Sequence, residues 1–366
     1  MRKEKIRVLV ADDSQVTRML LVHLLNADPD IQVVATVGDG QAALDFVRNA
    51  SPRPDVVLMD IHMPLMDGFE ATRCIMETVP LPIVICTATS NPHEVAVAFR
   101  SMEAGALACV EKPVVSGDPD FERRVANLLQ TIRLMSEVKV VRRWPRARAA
   151  TPAAGVLAQE ARGRARFAGT LTVIGIGAST GGPPVLQTIL SGLPKDFPVP
   201  LVVVQHIAPG FLSGMVEWLN ETTGLRVHVA AHGTTPLPGH VYIAPDDFHM
   251  GVVASGRIAL AREGQENGLR PSVSYLFRSL AQTCGAAAAG VLLTGMGKDG
   301  AVELKQMRDR GGFTIAQDRD SSVVHGMPGE AIGLGAACMV LPADRIAAAL
   351  VSRAAQKHAA GGEIYS

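Results

Sequence analysis

Ile6-Arg-Val-Leu-Val-Ala-Asp-Asp13 reads as a buried strand that delivers two acids to one edge of a sheet, because the apolar run is short and stops abruptly. Similar runs at residues 31–37, 55–60, 81–87 and 107–110 alternate with helical stretches. Apolar strands separated by helices need cover on both faces, so this region is predicted to be a doubly wound α/β domain with a parallel sheet. Ligands of such sheets sit beyond the carboxyl ends of the strands. Here those ends carry Asp12 and Asp13, Asp60, Thr87 and Lys112, while the second strand contributes nothing obvious.

Three carboxylates converging on one rim repel each other unless a cation lies among them, and an oxygen-rich, partly hydrated site suits Mg²⁺. A carboxylate held beside that metal, an ammonium and a hydroxyl can accept a phosphoryl group, and Asp60 is the natural acceptor. Taken singly, Asp residues at strand ends are turn formers and helix caps. Five matched residues at four strand ends are not explained that way.

Together with Met59-Asp60, Met63-Pro64, Met66-Asp67-Gly68 and Lys112-Pro113, these residues resemble the receiver domain of bacterial response regulators. The resemblance covers the whole first domain. It implies a flavodoxin-like strand order, phosphorylation of Asp60 by a histidine kinase, Thr87 and Lys112 as phosphate contacts, and Mg²⁺ held by Asp12 or Asp13, Asp60 and the backbone carbonyl of His62. One departure is Cys109, which stands where receivers usually carry an aromatic switch residue. A thiol cannot swing as a large ring does.

A chain of 366 residues is too long for one ordinary core, so two domains are expected. With 48% hydrophobic and 19% charged residues the chain can build compact cores. Lys plus Arg and Asp plus Glu balance at 35 each, leaving no global field for nucleic acid or an anionic membrane. The first apolar run is too short for a signal peptide and no run is long enough to span a bilayer, so a cytoplasmic protein without membrane insertion is expected. Cys74, Cys86, Cys109, Cys284 and Cys338 are odd in number and scattered, which points to free thiols rather than disulfides or zinc.

The domain reading is a receiver at 1–140, a linker at 141–169, a second domain at 170–357 and a tail at 358–366. A helix is predicted from about residue 116, with Phe121, Val125, Leu128, Leu129, Ile132 and Met135 at helical spacing. Beyond it Arg142, Arg143, Arg146, Arg148, Arg162, Arg164 and Arg166 lie among Ala, Pro and Gly, the composition of a solvated tether. The sharper reading is a basic docking strip for an acidic partner.

In the second half, a strand predicted at 171–176 runs into Gly177-Ala-Ser-Thr-Gly-Gly182 and a helix at 183–190. A dinucleotide fingerprint is one reading of such a turn. Thr180 stands where the third glycine of that pattern belongs, and the strand at 200–204 ends in Gln205-His206 rather than an acid. The other reading is a nucleophile elbow, since Gly177-Ala-Ser179-Thr-Gly181 is G-x-S-x-G. A serine needs a base, and the base an orienting acid. His206, ending the neighbouring strand, is the candidate base. Asp299, in the glycine-rich turn after the apolar run from Val291, is the candidate acid. The order Ser, His, Asp differs from that of α/β-hydrolases.

The segments Ile176-Gly-Ala-Ser-Thr-Gly-Gly182, Gln205-His206, Arg270-Pro-Ser-Val273, Leu293-Thr-Gly-Met-Gly297, Asp299-Gly300 and Gly326-Met-Pro328 resemble the CheB-type methylesterase domain over nearly all of this half. The resemblance implies a parallel-sheet α/β catalytic domain with Ser179 as nucleophile, His206 as general base and Asp299 as its partner. Thr180 and Met296 follow as site neighbours, with the Met296 amide as an oxyanion donor. It further implies hydrolysis of glutamate methyl esters, with deamidation of some glutamines, on methyl-accepting chemoreceptors. A CheA-type kinase would be the phosphodonor, the esterase chemistry would need no cofactor, and the protein would be a monomer. Leu269 and Ser274 depart mildly from the family pattern.

A receiver joined to an esterase suggests activation by phosphorylation. Phosphorylation typically adds one to three charge-assisted hydrogen bonds, whereas moving an equilibrium from 1:99 to 99:1 needs about 5.5 kcal/mol. Partial activation is therefore expected. The competing class is a non-enzymatic regulator with a degenerate esterase domain, against which the intact Ser179, His206 and Asp299 argue. A different client, in motility, development or surface behaviour, is compatible with the same residues.

Overall fold

The computed structural model describes residues 4–87, 99–113, 120–138, 140 and 170–355. The predicted linker, the tail and the start of the helix predicted at 116 lie outside these. The chain divides into two units, Met1–Ala147 and Arg148–Ser366.

The first unit runs β1 (Ile6–Ala11), α1 (Gln15–Ala27), β2 (Ile31–Val37), α2 (Gly40–Asn49), β3 (Val56–Met59), α3 (Gly68–Thr78), β4 (Ile83–Thr87), β5 (Ala108–Glu111) and α4 (Phe121–Ser136). Its strands form a parallel sheet in the order β2-β1-β3-β4-β5, the flavodoxin-like arrangement. β3 and β4 are buried at every residue, as central strands covered on both faces must be. Side chains start three of the helices: Ser14, Asp39 and Asp67 accept from the amides of Thr17, Ala42 and Glu70. The seam of α4 is carried by Leu128, Ile132 and Met135.

The second unit runs β6 (Val173–Ala178), α5 (Gly182–Ser191), β7 (Leu201–Gln205), α6 (Leu212–Thr223), β8 (Arg226–Val229), β9 (His240–Ile243), β10 (His249–Val252), β11 (Ile258–Ala261), α7 (Val273–Thr283), β12 (Ala288–Leu292), α8 (Ala301–Asp309), β13 (Phe313–Gln317), α9 (Met327–Gly333), β14 (Met339–Leu341) and α10 (Ala343–Ala355). Seven parallel strands lie in the order β14-β13-β12-β6-β7-β9-β8, and β10 and β11 form a separate antiparallel pair. The chain starts at the centre with β6, winds out through β7 to β8 and β9, then returns to the other side of β6 for β12. The sheet therefore reverses its winding between β6 and β12, where ligand crevices form at the carboxyl edge.

β6 differs from its predicted span. The strand continues through Ala178, so Gly177, expected to open the turn, lies inside it together with Gly175. The reason is packing. A Cβ on Gly175 would stand 2.4 Å from Leu280 Cδ1, and one on Gly177 would stand 2.3 Å from Val273 Cγ1. The missing side chains let α7 lie directly on the strand, burying Val273, Phe277 and Leu280.

Candidate active site

Ser179 follows the last residue of β6 and His206 the last residue of β7, two strands paired so that Ala178 faces Gln205. The nucleophile candidate and the base candidate thus occupy adjacent positions on one rim. Gly181 takes the left-handed conformation, φ 76°, that turns the chain into α5.

The rim is tied by long-range bonds to main-chain groups. The Gln205 side-chain amide donates to the carbonyls of both Ser179 (2.9 Å) and His206 (2.8 Å). The Ser179 amide donates to the Thr294 carbonyl (3.0 Å), and the Thr294 hydroxyl donates to the Thr180 carbonyl (2.9 Å). The Thr294 amide in turn donates to Gln317 Oε1 (2.8 Å). The four strand ends β7, β6, β12 and β13 are so held by three buried polar side chains.

The third triad candidate arrives from the β12–α8 turn. Asp299 is buried, with Oδ2 3.0 Å from His206 Nε2. The Val273 amide donates to Oδ2 (2.7 Å), while the Ser272 hydroxyl (2.9 Å) and the Ser274 amide (3.1 Å) donate to Oδ1. Burial alone would raise its carboxyl, but the bonds from His206, Ser274 and Val273 outweigh it and hold the group well below the ordinary carboxylate range. It is an anion facing an imidazole.

Of the expected neighbours, Thr180 adjoins the nucleophile, and its carbonyl anchors Thr294. Met296 is half-exposed in the loop after β12. That loop touches the nucleophile directly, since a Cβ on Gly295 would stand 2.6 Å from Ser179 Cβ. Ser274, noted as a departure, is buried; its hydroxyl donates to Glu303 (2.7 Å) and accepts from the Gly300 amide (2.9 Å).

In the first unit Asp12, Asp13 and Asp60 each offer a carboxylate oxygen, all within 4.8 Å of one another. Among the described residues no other group of three His, Cys, Asp or Glu side chains comes so close. Lys112 Nζ reaches in at 2.8 Å from Asp12 and 2.7 Å from Asp60. Burial raises the Asp60 carboxyl; Lys112 opposes that shift and Asp12 adds to it. Two buried acids sharing one ammonium leave negative charge uncompensated, a donor set that fits a hard divalent cation. Thr87 is buried at the end of β4, and its carbonyl accepts from the Lys112 amide (3.0 Å). Asp67 and Gly68 shape the loop over Asp60: the Gly68 amide donates to the Ile61 carbonyl, and a Cβ there would stand 1.9 Å from the Asp60 carbonyl oxygen. Cys109 lies on β5 against the domain core.

Residues 174–350 match the CheB methylesterase family and residues 8–120 the response regulator receiver domain. A protein-glutamate methylesterase/protein-glutamine glutaminase of Nitrosospira multiformis is 52% identical over 352 residues, covering 96% of this chain and 98% of the relative. One of the same name, numbered 4, from Geobacter metallireducens is 52% identical over 353 residues, covering 96% of this chain and all of the relative. The chain belongs to the CheB methylesterase family. Receiver and catalytic regions lie in one chain, and the main sheet of each is parallel and packed with helices.

Within this CheB chain, Gln205, Thr294, Gln317 and Ser272 were not predicted as site residues. Gln205, Ser272 and Thr294 lie inside the family motifs, and Gln317 lies outside them. Their partners lie on other strand ends, and residue type alone does not disclose such partners. All five cysteines carry free thiols, and no described helix is long and apolar enough to cross a membrane.

Proposed function

We propose that Ser179, His206 and Asp299 act as a catalytic triad hydrolysing glutamate γ-methyl esters, and the corresponding amide of some glutamines, on methyl-accepting chemoreceptors. As a CheB methylesterase with a receiver domain, the protein is a protein-glutamate methylesterase and protein-glutamine glutaminase regulated through phosphorylation. The observation that carries the residue assignment is that Ser179, His206 and Asp299 follow the carboxyl ends of three neighbouring strands, β6, β7 and β12, with Asp299 3.0 Å from His206.

With Nε2 facing Asp299, His206 has Nδ1 left to take the hydroxyl proton of Ser179. The Ser179 oxygen then bonds to the γ-carbonyl carbon, and the negative charge moves to the carbonyl oxygen. The Met296 amide and the start of α5 are the candidate donors to that oxygen, with Thr180 beside them. Collapse breaks the bond to methoxide, which leaves as methanol with the proton from His206. Water, deprotonated by His206, attacks the acyl carbon and releases the glutamate side chain and free Ser179. With a glutamine substrate, ammonia leaves in place of methanol.

In the receiver, Asp60 accepts the phosphoryl group of a CheA-type histidine kinase, with Lys112 and Thr87 placed to contact its oxygens. Asp12, Asp13 and Asp60 would hold Mg²⁺, which supplies positive charge to the phosphoryl oxygens when bound. The protein is expected to work as a cytoplasmic monomer, and the ester chemistry uses protein groups alone.

The test is methanol release from methylated receptor membranes. Ser179→Ala should lower turnover by a factor on the order of 10⁴. A phosphodonor with Mg²⁺ should stimulate release in the unmodified protein and fail to do so in Asp60→Asn. Methanol release undiminished in Ser179→Ala would refute the triad.

A further inference from the structure

The Ser272 hydroxyl makes a bond to Asp299 that its role as a helix cap does not require. It is fully buried one residue before α7, accepting from the Tyr275 amide as the helix cap. A hydroxyl has one proton, and here it goes to Asp299 Oδ1 at 2.9 Å. Oδ1 also receives the Ser274 amide at 3.1 Å and Asn267 Nδ2 at 3.5 Å. Oδ2 keeps two partners, the Val273 amide at 2.7 Å and His206 Nε2 at 3.0 Å.

We infer that Ser272 is a positioning residue that sets the basicity of His206 through Asp299. This rests on the triad assignment. The two amides of α7 clamp the carboxylate in orientation, one on each oxygen, so losing the hydroxyl leaves its direction unchanged. What changes is charge. Each donor draws electron density from the carboxylate and weakens its pull on the His206 proton. Removing the Ser272 donor therefore makes Asp299 a stronger partner and His206 harder to deprotonate. Among the charged groups nearby, Glu303 on α8 accepts from the hydroxyl of Ser274, the residue whose amide donates to Oδ1, and Arg278 on α7 lies 3.8 Å from Glu303.

The capping role and the electrostatic role separate by choice of variant. Glycine is nearly as good as serine at a helix N-cap, differing by a few tenths of a kcal/mol, whereas alanine is poor. Ser272→Gly should therefore fold like the parent yet lack the donor, and Ser272→Thr should restore it. The experiment is the pH dependence of kcat/KM for methanol release by the full chain. Its acid limb reports the free-enzyme pKa of the base and is unaffected by the fraction of active molecules.

In Ser272→Gly the limb should move up by roughly half a unit to one unit, less than the roughly 1–2 units that one hydrogen bond to a charged group represents, because the effect reaches His206 through Asp299. Ser272→Ala should show the same limb with a lower melting temperature, and Ser272→Thr should return the limb to its original place. A limb that stays put or moves down in both donor-less variants overturns the inference. Ser179→Ala, assayed alongside, tells that outcome apart from failure of the triad assignment, which would appear as activity surviving without the serine.

Discussion

Asp299 Oδ2 meets both His206 Nε2, at 3.0 Å, and the Val273 amide, at 2.7 Å, so the acid that orients the base is itself seated on the first turn of α7. The seat holds the carboxylate against Nε2, which leaves Nδ1 as the nitrogen for Ser179 in the proposed mechanism. Asparagine at 299 would keep the shape while losing the charge that stabilises a protonated His206. Asp299→Asn is expected to lower kcat by a factor on the order of 10³–10⁴ with the fold intact. Methanol release normalised to sites labelled by a serine-reactive phosphonate measures this directly. Turnover within tenfold of the parent would contradict it.

The same carboxylate makes stability depend on pH. Its folded pKa is depressed: burial pushes it up, but the bonds from His206, Ser274 and Val273 pull it down further. A group of this kind stabilises the fold above its unfolded pKa of about 3.9, and that contribution is lost as pH falls through the folded value. Urea unfolding of the parent and Asp299→Asn should therefore differ most at neutral pH. The gap should narrow as pH falls below about 4. A gap that stays constant across that range would show that the carboxylate is not held in its charged form by the fold.

Lys112 competes with any cation for the receiver acids, because its ammonium stands 2.8 Å from Asp12 and 2.7 Å from Asp60. One unit charge at about 4 Å is worth roughly 1 kcal/mol in water and 4 kcal/mol near a protein surface. Lys112→Met should therefore bind Mg²⁺ at least about fivefold more tightly, although it loses a phosphate contact. Asp60→Asn should bind it more weakly. Calorimetric titration with Mg²⁺ distinguishes the two, and equal affinity in all three proteins would remove Lys112 and Asp60 from the metal's surroundings.

What the sequence made legible follows from how these sheets are built. Asp12, Asp60, Thr87 and Lys112 stood out because each ends or follows an apolar run, and a parallel sheet gathers its strand ends on one rim. Ser179, His206 and Asp299 were readable for the same reason. The extension of β6 through Gly177 and the packing role of Gly175 and Gly177 were less so, since small residues carry no periodic signal and Gly177 resembles the start of a turn. Their role depends on α7, about a hundred residues further on, which the sequence does not align with them. Gln205, Thr294 and Gln317 act on main-chain carbonyls and amides of other strands, and such partners leave no mark on residue type. Ser272 could be read as a helix cap, but its bond to Asp299 depends on how α7 docks.

The docking of α7 on β6 gives the last prediction. A Cβ at residue 177 would stand 2.3 Å from Val273 Cγ1 and 2.8 Å from Val273 Cγ2. Valine is branched at Cβ and fully buried here, so it cannot rotate away cheaply. Gly177→Ala should instead lift the first turn of α7 and carry the Val273 and Ser274 amides off Asp299. Overpacking of this kind typically costs about 1–3 kcal/mol, and the displaced amides should lower turnover per active site as well. Val273→Ala opens the space that the new methyl group needs. The double variant Gly177→Ala/Val273→Ala should then be more stable and more active than the two single effects summed, with a coupling of about 0.5–3 kcal/mol. Thermal unfolding and per-site methanol release on all four proteins complete the cycle. Strict additivity in both would mean that the glycine does not govern how closely α7 brings its amides to the catalytic acid.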